Sequence, residues 1–105
     1  MSKISEEFRL ELPPANAQSA CASAIESLGW KMTEQQPDRM VAKTGWGAFK
    51  TPGSIEILLV DAGGTATAVQ MNGSIAQIGP IAKRNLSKSM SQLREAIDST
   101  ARGPA

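Results

Sequence analysis

The chain has 105 residues, 41% of them hydrophobic and 20% charged, and its eleven Lys and Arg against ten Asp and Glu leave a net charge of +1. That length holds one domain with one core, residues 1–105, and so small a charge excludes both the broad basic field of a nucleic-acid wrapper and an acidic tail. Histidine is absent and Cys21 is the single cysteine, which excludes an intrachain disulfide, a cysteine cluster for zinc and the commonest general base together.

Residues 3–12 alternate, with Ile4, Phe8, Leu10 and Leu12 on one side and Ser5, Glu7, Arg9 and Glu11 on the other, the pattern of a half-buried strand; Glu6 interrupts the apolar side. Pro13-Pro14 ends this strand and opens a helix, because proline suits a first helical turn and not a sheet interior. Ala17, Cys21, Ala24 and Leu28 then recur on one helical face, Ala20 and Ile25 widen it, and Gly29 is the expected stop. Cys21 thereby reads as a small core residue.

Residues 30–35 and 39–44 form two short strands around Gln36-Pro37-Asp38. Pairing Gln35 with Arg39 places Trp30, Met32, Met40 and Ala42 on one face and Lys31, Thr33, Arg39, Val41 and Lys43 on the other. Residues 45–54 make a loop with three glycines, Trp46, Phe49 and Lys50. Its aromatic side chains either cap the core or insert into a partner or a bilayer interface, and the first reading is preferred because a chain with few aromatics buries them.

Residues 55–71 carry the strongest hairpin signal, two β-rich runs around Asp61-Ala62-Gly63-Gly64. Ile55, Ile57 and Leu59 meet Thr65, Thr67, Val69 and Met71 on one face only if the loop holds an odd number of residues, which a glycine in the left-handed region at Gly63 or Gly64 supplies. Glu56, Leu58, Val60, Ala66, Ala68, Gln70 and Asn72 fall on the other face, which is less polar than a solvated one should be. After a turn-rich connection Pro80 opens a long helix with Ile81, Leu86, Met90, Leu93 and Ile97 as its stripe, and residues 99–105 are expected to fray.

The expected fold is α+β, in the order β-α-β-β-β-β-α, with a five-stranded curved antiparallel sheet and two helices on one face. This order resembles the helix-grip and TATA-binding-protein-like layouts. It is also similar to small uncharacterised bacterial domains through Leu28-Gly29-Trp30, Val41-Ala42-Lys43-Thr44-Gly45 and Gly53-Ser54-Ile55-Glu56-Ile57. The resemblance implies a fold and carries over no functional residue.

No catalytic constellation is legible: the carboxylates are scattered, and Gly63-Gly64 lacks the spacing of a phosphate loop. The expectation is a protein that is not an enzyme and needs no metal or cofactor. Lys83, Arg84 and Lys88, early in the last helix, read as solvated side chains before they read as an anion contact. Two helices cannot cover both sides of the sheet, so the expected interaction surface is the open face, with Leu58, Val60, Ala66, Ala68 and Val41 as an apolar patch rimmed by Lys31, Arg39 and Lys43. A protein partner or homodimer is the expected occupant. The alternatives are a small apolar ligand held as in helix-grip proteins and, third and disfavoured, a nucleic acid on a half-saddle. The amino-terminal residues lack the apolar core of a signal peptide and no run approaches the ~18 apolar residues of a membrane span, so a cytoplasmic protein is expected.

Overall fold

The computed structural model describes residues 2–43, 53–75 and 79–101. Its elements are β1 (Ser2–Leu10), α1 (Pro14–Ser27), β2 (Lys31–Gln36), β3 (Arg39–Lys43), β4 (Ser54–Asp61), β5 (Thr67–Ile75) and α2 (Pro80–Ala101). The strands form one open five-stranded sheet in the order β1-β5-β4-β3-β2, every neighbouring pair antiparallel, which is the expected α+β architecture.

The central hairpin positions the rest. Ile57 faces Met71 and Leu59 faces Val69, the register that brings both apolar sets to one side. The five-residue connection, 62–66, has the odd count this requires. Gly63 and Gly64 both adopt positive φ, 111° and 86°, and their amides donate to Asp61 Oδ1 at 3.1 and 2.6 Å, so the Asp side chain closes the turn that the glycines make possible.

Both helices lie on the side of Ile57 and Met71, α1 over β4 and β2, α2 over β1 and β5, and they pack on each other. α1 is held by small side chains, since Ala17, Ala20, Cys21 and Ala24 are buried and let its backbone approach closely. α2 gains the same proximity from the strand it crosses: a Cβ on Gly73 would lie 2.7 Å from Met90 Sδ and 3.0 Å from Leu86 Cδ1. The space between sheet and helices is filled by Met40, Ile55, Ile57, Met71, Leu86, Met90, Leu93 and Ile97, all buried.

Four local expectations are corrected. Gln36, not Gln35, pairs with Arg39, leaving a two-residue turn, and a bulge at Thr33 between Met32 and Glu34 restores the alternation so that Met32 still faces Ala42. Ile81 is 73% exposed, because five residues before Leu86 is about 140° around a helix from it and therefore off the stripe. β1 ends at Leu10, and the carbonyl of Leu12 instead accepts a 2.8 Å hydrogen bond from the buried Thr67 hydroxyl. α2 continues to Ala101, through the first three residues of the stretch 99–105.

Candidate functional site

The sheet face away from the helices is built by alternation. Lys3, Ser5, Glu7 and Arg9 project from β1, Ala68, Gln70, Asn72 and Ser74 from β5, and Ser54, Glu56, Leu58 and Val60 from β4. β3 adds Arg39, Val41 and Lys43. The face has an apolar end, a polar middle and a cationic end.

At the apolar end Val60 pairs with Ala68 and is 61% exposed, Ala68 is exposed, and Leu58 is half-buried between Arg39 and Gln70. A depression of about 420 Å³ lined by Glu7, Arg9, Val60, Ala68 and Gln70 runs along this end. Ala66 belongs elsewhere: it is 0% exposed, lies in the β4–β5 turn and accepts a hydrogen bond from the Ala62 amide, so it offers a partner no surface.

A hydrogen-bonded chain crosses the middle. The Ser5 hydroxyl donates to Asn72 Oδ1 at 2.9 Å, Asn72 Nδ2 donates to Glu56 Oε1 at 3.1 Å, and Arg39 Nε donates to Glu56 Oε2 at 2.8 Å. Arg39 also forms an ion pair with Glu34. The hydrogen bond from Arg39, and after it the one from Asn72, holds the Glu56 carboxyl below the usual carboxylate range. Arg39 is thus a structural member of the face and not a free cation on its rim. Sequence reasoning missed this network, although Glu56, Asn72 and Arg39 each lay on the right side of their strands. The missing signal was the β3–β4 register, because ten residues of sequence separate the two strands and no short-turn rule sets their pairing.

The cationic end is one cross-strand row, Lys3–Ser74–Ser54–Lys43–Lys31, fixed by the successive pairings. Lys31 and Lys43 therefore sit side by side at the far end from Leu58 and Val60, and Val41 lies between them and Arg39. Trp46, Phe49 and Lys50 lie outside the described residues.

Elsewhere, a groove of about 450 Å³ separates the end of α1 from β2, lined by Ala22, Ile25, Glu26, Trp30 and Met32. Burial pushes the Cys21 thiol up to about 12, so it carries no thiolate at neutral pH. Among the described residues no group of His, Cys, Asp and Glu is arranged to hold a metal, and no helix is long and apolar enough to cross a membrane.

Solved structures of the same architecture include a START superfamily protein from Mycobacterium smegmatis, 10% identical, with a TM-score of 0.62 over 95% of this chain and 97% of that one. The chain has a helix-grip fold. An uncharacterized protein from Bacillus thuringiensis matches at 7% identity and a TM-score of 0.70 over 95% of this chain and 98% of the other. CalU16 from Micromonospora echinospora matches at 15% identity and 0.68, over 97% of this chain and 76% of the other. No protein-family model matches the sequence, and no curated protein does. At these identities the helix-grip likeness is one of architecture alone.

Proposed function

We propose that the protein is a non-catalytic binding module whose open sheet face docks a protein partner, in the simplest case a second copy. The observation that carries this reading is the exposure of Val60 and Ala68 beside Leu58 on the face that neither helix covers. Five strands about 4.8 Å apart and about eight residues long make a face of roughly 500 Å², or about 1,000 Å² buried between two copies, the lower bound for a specific interface. A two-fold axis would set each face against itself, with burial of Leu58 and Val60 as the driving force. The non-catalytic part rests on inventory: no histidine, a buried thiol, and Glu56 and Glu34 both committed to Arg39.

Sedimentation of the wild type across a concentration series tests this. Self-association is expected, and Leu58→Lys is expected to abolish it while matching the thermal midpoint of the wild type at concentrations too low for association, because the new charge enters the contact and not the core. A wild type that stays monomeric into the millimolar range would exclude the second copy.

A second reading is favoured by the groove beside Trp30, whose Ile25 and Met32 walls suit a small apolar ligand. The space beneath the sheet itself is occupied by packed side chains. In a Trp46→Phe background, a change in Trp30 emission on adding an apolar probe would support that groove as a site. The half-saddle reading for nucleic acid has little behind it, because no aromatic side chain stands among the open-face residues of the five strands for bases to stack on.

A further inference from the structure

The cationic row offers a chemistry different from that of the apolar end and requires no docked protein. Ser54 and Ser74 are directly paired across β4 and β5, and both are half-buried. Lys3 stands one strand beyond Ser74 and Lys43 one strand beyond Ser54, both exposed, so the order across the sheet is ammonium, hydroxyl, hydroxyl, ammonium, with Lys31 next in line. No carboxylate occupies this row. The nearest one on the face, Glu56, is two residues along β4 from Ser54, and its oxygens accept hydrogen bonds from Asn72 and from Arg39, the latter on the side away from the row. A depression of about 440 Å³ opens beside the two serines, lined by Lys3, Ser5, Ser54, Asn72 and Ser74 and, toward the middle of the face, by Arg39, Val41 and Glu56; Lys43 stands outside it, at the end of the row.

The geometry points to a site for a phosphate monoester group. Paired strands hold opposite residues about 5 Å apart, a separation that one tetrahedral oxyanion spans by accepting a hydrogen bond from each hydroxyl. The lysine on either side has the reach to fold over the row and place its ammonium against the remaining oxygens. A doubly charged group suits two flanking ammoniums better than a carboxylate does, since it has more oxygens and more charge to share among four donors. Free phosphate esters and the headgroup of a lipid both present this chemistry.

The test is an amide-resolved NMR titration at low ionic strength with phenyl phosphate, and in parallel a co-sedimentation assay with phosphatidylcholine vesicles containing phosphatidic acid. Saturable shifts centred on Ser54 and Ser74 are expected with phenyl phosphate, with no comparable shifts from sodium chloride at equal ionic strength. Lys3→Gln with Lys43→Gln should weaken the affinity by about tenfold or more, the loss expected when two charge-assisted contacts go. Ser74→Ala, which leaves the charge intact, should weaken it by a smaller factor. Binding to vesicles without response to phenyl phosphate would support the site and identify a lipid as its source. Shifts matched by chloride, unchanged affinity in the double lysine variant, or no response in either assay would overturn the proposal.

Discussion

Cys21 is fully buried in the core from the middle of α1, and the cost of burying a thiolate pushes its pKa up to about 12. The folded thiol keeps its proton while an unfolded one, near 8.5, loses it, so this residue contributes stability that is complete below about pH 8.5 and disappears as pH rises through the folded value. A disulfide reagent at pH 8 should leave the native protein unmodified and titrate one thiol in denaturant; rapid modification of the native state would contradict its burial. Glu56 has the opposite sign. Its carboxyl is held down by Arg39 and Asn72, so its contribution is complete above the ordinary carboxylate value and fades as pH falls through the lower folded one. Glu56→Gln should therefore destabilise at pH 7, and the gap to wild type should close in acid melts below about pH 4. A gap independent of pH would mean the network contributes by shape alone.

Each of Ile57 and Leu93 occupies the middle of its element's covered face, and both are fully buried. Replacement by Ala should cost about 2–5 kcal/mol in denaturant titration, whereas Ile81→Ser, on the exposed first turn of α2, should cost under about 0.5 kcal/mol. The hairpin β4–β5 was legible from sequence because a turn with glycines and an alternating pattern set each other's register. The β2–β3 hairpin was legible in its faces but not in its turn, since a two-residue turn with a bulge and a three-residue turn without one place Met32 and Ala42 alike. Ile81 was misassigned because apolar character alone drew it onto the stripe, where spacing should have excluded it. Ala66 was misassigned for a related reason: strand alternation was extended one residue into a turn, where it no longer applies.

At the scale of the whole molecule, the two helices and five strands of the described residues leave one sheet face bare among those residues, and that much followed from counting elements. The division of the face into apolar, polar and cationic bands did not, because it depends on the β1–β5 and β3–β4 registers, which join strands far apart in sequence. The two outer strands differ from the bare face in a way that limits what the protein can become. β1 turns Glu6 toward the helix side, opposite Met71, where its Oε2 is buried without a hydrogen-bond partner among the described residues. β2 carries the bulge at Thr33 and is followed at once by Pro37. An inward charge and a bulge are both obstacles to the addition of a further strand. Growth of the sheet sideways, the route to a fibril, is therefore disfavoured at both ends. Glu6→Val is expected to shorten the lag before thioflavin-positive fibrils under agitation, while a lag equal to wild type would assign the protection of that edge to something else. The carboxylate at position 6, a flaw when judged as part of a core, keeps a two-sided ribbon from polymerising.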